Sequence, residues 1–72
     1  MPKYHMHPPA SCDICTTPIL SVFYDARLGL NSPSPGSWAN CCTACFKRYG
    51  IGLGTGYAQE WTKREDRFEK TA

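Results

Sequence analysis

The chain has 72 residues, eight Lys and Arg against six Asp and Glu, a formal charge of +2, and five cysteines. That length makes one small domain, too short to bury the apolar surface for comfortable stability unless a disulfide, a metal or a partner helps. The modest charge excludes a large basic footprint for nonspecific nucleic-acid binding, leaving only a local patch at Lys47 and Arg48, and no stretch approaches the roughly 20 apolar residues of a membrane span.

Residues 1–11 carry three prolines, two histidines and no apolar periodicity, which predicts an extended arm. His5 and His7, beside Pro8 and Pro9, read as solvated side chains outside any site. The opening MPKYHMHPP lacks the apolar core of a signal peptide, so the expected location is a reducing cytosol, where thiols stay available for metal.

Next come the cysteines. Cys12 and Cys15 form CDIC, Cys42 and Cys45 close the run CCTAC, and 26 residues separate the pairs. Two CxxC turns at this separation match a four-cysteine zinc site far better than a disulfide set. Each turn converges two thiolates on one ion while its amides point at sulfur, and four thiolates leave no position open for water or substrate. The expected cofactor is therefore one structural Zn2+. Four thiolates and a divalent ion together subtract two charges, so the loaded chain is near neutral.

Two rival chemistries also use cysteine pairs. A thioredoxin-like redox pair needs a CxxC at a helix start within an α/β fold, which this chain is too short to build. An iron–sulfur cluster stays chemically open, because four thiolates also suit iron, although the spacing favours zinc. Cys41 is left over. Cys42 has the CxxC spacing to Cys45 that mirrors CDIC, so Cys41 reads as a small buried hydrophobe at a strand end, with a reactive or ligand-swapping thiol as the alternative.

Between the pairs, Ile19 to Tyr24 (ILSVFY) is β-branched and aromatic enough for a strand, and Asp25 to Gly36 carries the residues of a loop. Trp38 and Ala39 then lead back to the second pair, closing a hairpin that brings the two CxxC turns together. Thr43 to Tyr49 spaces Phe46 and Tyr49 by three and predicts a short helix carrying Cys45, with Gly50 as its left-handed terminator. The expected fold is a small metal-stabilised α+β domain, a zinc ribbon with treble-clef-like knuckles, over residues 12–56. Residues 57–72 read as a C-terminal amphipathic helix, with Tyr57, Trp61 and Phe68 on one face and opposite charges four apart at Glu60/Arg64 and Asp66/Lys70.

GIGLGTG, from Gly50 to Gly56, resembles a phosphate loop only superficially. It lacks the Lys and following Ser or Thr of a P-loop, and its glycine spacing fails the dinucleotide fingerprint. Its glycines cost about 0.5–1 kcal/mol each relative to alanine, so the run either packs on the metal core or offers its amides to a partner. The candidate partner surface is Lys47, Arg48 and Tyr49 with Gly52, Gly54 and Gly56.

Residues 12 to 61 resemble a family of small zinc-ribbon proteins encoded by bacteriophages. The resemblance lies in Cys12 and Cys15, Phe23 and Asp25, Trp38, Ala39 and Asn40, Cys42 and Cys45, Gly50 through Gly56, and Gln59 with Trp61. The family pattern has methionine where this chain has Cys41, supporting Cys42 as the ligand; the Leu30 to Gly36 loop is longer than usual and Ala58 replaces a glycine. The resemblance implies a phage origin and a bound metal, and brings no activity with it.

No acid, base or nucleophile constellation stands out, so an enzyme is not expected. The expectation is a monomeric binding module in the host cytoplasm that regulates or inhibits a host protein or nucleic-acid complex in transcription, replication or defence, with no membrane and no small-molecule substrate. The alternative is a structural or assembly component of a virion or replication complex.

Overall fold

The computed structural model describes residues 4–72. Its elements are β1 (Val22–Arg27), β2 (Trp38–Cys41), α1 (Thr43–Tyr49), β3 (Ala58–Arg64) and β4 (Arg67–Lys70). The strands form one antiparallel sheet in the order β2-β1-β3-β4. This is the small α+β class the sequence predicts, and α1 covers the expected seven residues.

Alternation along the strands divides the side chains between two faces. Tyr24 and Ala26 of β1, Cys41 of β2 and Ala58 of β3 lie on the face toward the cysteines, in one core with Cys12, Leu28 and Cys45. Helix α1 closes this side: the Phe46 ring stacks on Tyr24 with centroids 4.1 Å apart, and the Tyr24 hydroxyl donates to Glu60 Oε2 at 2.8 Å. The opposite, outer face carries a second, aromatic core of Phe23, Trp61 and Phe68, with Ile19 packed against it.

Four expectations are corrected. Residues 57–72 form a hairpin, not a helix: Trp61 and Phe68 meet Phe23 across strands, and Arg64 pairs with Arg67 around a two-residue turn in which Glu65 takes φ 62. The helix reading failed because Trp61 and Phe68, seven apart, share a side in either structure. Burial against Phe23 overrides the weak strand propensity of AQEWTKR. The opposite charges do not pair as a helix would pair them, and Arg64 instead lies 4.0 Å from Glu69 on the neighbouring strand.

Strand β1 is also shifted, running from Val22 to Arg27, so Asp25 to Arg27 belong to the sheet and not to the loop. Gly50 ends α1 in an extended conformation, φ −72 and ψ 160, not a left-handed one. Its glycine is required by proximity: a Cβ there would meet Phe46 Cδ1 and the Phe46 carbonyl oxygen at 2.6 Å. Left-handed backbone appears further on, at Gly54 (φ 126) and Gly56 (φ 87).

The expected arm is docked where it is described; residues 1–3 of that stretch lie outside the described residues. Tyr4 bridges to Glu69, and the His5 N–H donates to the Phe68 carbonyl at 3.0 Å along the free edge of β4. The His5 ring packs edge-on against Phe23 and Trp61, with centroids 5.2 and 5.1 Å away, so this histidine caps the aromatic core and is not a plain solvated residue.

Gly50→Ala should destabilise the zinc-loaded protein by about 1–3 kcal/mol, the cost of overpacking where ring and carbonyl cannot both yield. Denaturant unfolding of the variant against the parent measures it, and an unchanged midpoint would contradict the contact.

Candidate metal centre

Two turns from separate parts of the chain build the site. The first, Cys12 to Cys15, is held by Thr16, which takes φ 64 and donates its N–H to the Cys12 carbonyl at 3.0 Å. The second is the start of α1, where Cys42 is the N-cap and its sulfur accepts from the Cys45 N–H at 3.5 Å. In the first turn the Ile14 N–H reaches Cys12 Sγ at 3.4 Å. Each turn thus directs an amide at its leading sulfur, which spreads thiolate charge.

Asp13 locks the turns together. Its N–H donates to the Asn40 carbonyl at 2.9 Å, and its carboxylate accepts from the Asn40 N–H at 2.8 Å. This reciprocal pair fastens the first turn to the outer edge of β2, two residues before Cys42. Asp13, and Thr17 whose Oγ1 lies 3.0 Å from Cys15 Sγ, are contributors that motif reading passes over; the only sequence signal is a short polar residue inside or just after a CxxC turn.

The Sγ atoms of Cys12, Cys15, Cys42 and Cys45 all lie within 4.8 Å of one another. A tetrahedral ion with zinc–sulfur bonds of about 2.3 Å needs sulfurs about 3.8 Å apart. The Cys15 and Cys42 sulfurs stand at 3.7 Å. The four expected ligands therefore converge in an arrangement that can hold one metal ion, and an all-thiolate tetrahedral set is the donor set of structural zinc. Cys12 and Cys45 are buried, Cys42 is half-buried and Cys15 is exposed, so the centre sits under one rim of the domain.

Thiol acidities follow from these surroundings. Hydrogen bonding to the Thr17 side chain, with Oγ1 3.0 Å from Cys15 Sγ, and to its backbone brings Cys15 down to about 6. Burial opposes ionisation of Cys12, yet the backbone hydrogen bonds at Cys15, Cys42 and Ile14 outweigh it and its acidity rises. Cys45 is pushed well up, first by burial and then by hydrogen bonding with the other three sulfurs. Four sulfurs this close cannot all shed protons without a cation among them.

Cys41 stands apart. It is fully buried at the end of β2, opposite Tyr24, and burial raises its thiol to about 12. It is the small interior hydrophobe that the spacing suggests.

The residues expected to meet a partner lie beyond the centre. Lys47 and Arg48 are exposed on the last turn of α1, where Arg48 lies 5.3 Å over the Tyr49 ring. Asn31 Nδ2 donates to the Arg48 carbonyl at 2.9 Å and the Gly29 N–H to the Tyr49 carbonyl at 2.8 Å, so the long loop ties down the helix end. Gly54 and Gly56 are exposed and Gly52 is half-buried, while Ile51, Leu53 and Tyr57 between and beside them are about half exposed. An apolar cleft of about 300 Å³, lined by Leu28, Leu30, Pro35 and Ile51 with Arg27 at its side, adjoins the loop. Among the described residues no helix is long and apolar enough to cross a membrane.

Comparison with protein-family models, with curated proteins and with solved structures finds no match.

Two outcomes test the centre. Cys42→Ser should lower bound zinc well below one ion per chain and loosen the fold, whereas Cys41→Ala should keep one ion per chain, both read by metal analysis of the purified protein. Retained zinc in the first, or lost zinc in the second, would reassign the ligand. Loading zinc near neutral pH should release fewer than four protons per ion, because Cys15 is already largely ionised while Cys45 holds its proton. Since binding expels protons, acid opposes it, and zinc affinity should fall as pH drops through about 6. A pH indicator in weakly buffered solution reads the protons, and competition with a zinc chelator at pH values above and below this reads the affinity.

Proposed function

We propose that this chain is a zinc-stapled binding module, a phage accessory protein that regulates or inhibits a host protein or a host nucleic-acid complex in transcription, replication or defence. The observation that carries the reading is the surface beside the metal centre. Ile51, Leu53 and Tyr57 stay half exposed on a glycine-hinged loop, next to the basic end of α1. A small domain gains nothing in stability from apolar side chains left in water, and such groups rimmed by charge mark contact surfaces.

In this reading the metal plays no chemical part. Four thiolates fill a tetrahedral shell, so the ion would hold the two turns together, a contribution of roughly 10–16 kcal/mol for structural zinc in small domains. Catalysis is not part of the proposal. The protein would act in the host cytoplasm, whose reducing poise keeps the four thiols free for metal.

The basic pair and the apolar loop divide the work. Lys47 and Arg48 would draw in an acidic or phosphate-bearing partner, and Leu53 and Ile51 would supply the desolvated centre of the contact. The amides of Gly54 and Gly56, free of side chains, allow close backbone approach.

The test is affinity capture by the zinc-loaded chain from bacterial lysate, repeated with Lys47→Glu/Arg48→Glu and with Leu53→Asp. Capture of a specific partner should fall about tenfold or more in both variants, with zinc content unchanged. Undiminished capture would remove this surface from the proposal.

A further inference from the structure

The outer face of the sheet has a second exposed region, which borders the glycine loop at Tyr57 and Arg27 and extends from there to Trp38. Strand register places side chains of neighbouring strands in rows across it. Arg27 is opposite Trp38 on one side. On the other it meets Tyr57, the turn residue just before β3, whose carbonyl accepts from the Arg27 N–H at 2.8 Å. The next row toward the aromatic core is Asn40, Asp25 and Gln59. Trp38 and Tyr57 are 52% and 48% exposed, too open for large aromatics whose role is to fill a core.

The sheet also sorts its charge. Alternation puts Glu60, Arg64, Arg67 and Glu69 on the face toward the metal, where they balance. Arg27, Lys63 and Lys70 fall on the outer face against the single carboxylate of Asp25. Among the described residues the one ion pair is Arg64 with Glu69, on the metal side, so the three outer cations are uncommitted. The modest net charge of the chain conceals this difference.

We propose that the outer face of the sheet, with Trp38, Arg27 and Tyr57 in one row and Asn40, Asp25 and Gln59 in the next, binds single-stranded nucleic acid. Bases of a single strand expose the π-faces that aromatics and a guanidinium can stack upon; in a duplex those faces are already occupied. The rows are about 7 Å apart, so bases splayed from one strand meet them in turn. Asn40 and Gln59 each offer a donor and an acceptor to base edges, and Asp25 accepts from exocyclic amines while disfavouring phosphate at that point. Phosphates are then held by the uncommitted cations, from Arg27 to Lys70 about 17 Å away across two rows and two strands.

Tyr57 and Arg27 border the glycine-loop surface as well, but Trp38 lies outside it, so a failure read at Trp38 leaves that reading standing. The zinc-loaded full chain is titrated into fluorescein-labelled oligonucleotides of about 12 nucleotides, one RNA and one DNA, with a duplex of the same sequence as comparison. Fluorescence anisotropy should rise with the single strands and only weakly with the duplex, and preference for either sugar meets the proposal. Trp38→Ala should weaken binding about 5- to 150-fold, and Trp38→Phe should restore most of it. Arg27→Ala should reduce the salt slope by about one. Arg64→Ala removes a cation from the other face and should change little. Because Trp38 is half exposed, its variants should keep zinc and fold, read by metal content and circular dichroism. No binding up to about 100 µM protein, duplex preference, or equal binding by folded Trp38→Ala would overturn the proposal.

Discussion

Four sulfurs held within 4.8 Å of one another, with no carbon core large enough to hold them there, form the constraint on which the domain rests. As thiols they are crowded, and as thiolates they repel. The cation that reconciles them joins a turn before β1 to a turn after β2, and so closes the hairpin between. Helix α1 begins inside the second turn, with Cys42 as its cap. That start sets α1 over the sheet, where Phe46 stacks on Tyr24. Asp13 and Asn40 add a hydrogen-bonded clasp between the same two parts of the chain.

Much of this half was legible because its signals are local and chemically specific. A CxxC turn states its own geometry, and the seven helical residues from Thr43 to Tyr49 follow a ligand that must point inward. Choosing Cys42 over Cys41 needed only the matching spacing, and the burial of Cys41 agrees. Gly50 does end the helix, but glycine there avoids a collision with Phe46, a relation that no backbone preference encodes.

The other half was not legible for a definite physical reason. Tyr57, Trp61 and Phe68, with opposite charges four apart, satisfy a helical face, and a seven-residue separation cannot distinguish a helix from a hairpin. What decides is Phe23, far away in sequence, which presents a buried ring for Trp61 and Phe68 to cover. The docking of His5 is decided by the same cluster and was equally hidden. The charge difference between the two faces could be seen only once register was known, since the chain as a whole is almost balanced.

Both outer strands of the sheet are occupied by the chain itself. On β2 the outward backbone groups of Asn40 are taken by Asp13, and on β4 the outward carbonyl of Phe68 is taken by His5. Open strand edges recruit further strands from other molecules and seed aggregation. Here the two clasps guard against templated growth, one anchored at the metal turn and the other at the aromatic core. Loss of metal would therefore free an edge as well as loosen a fold, and metal-depleted chains would be sticky before they were fully unfolded.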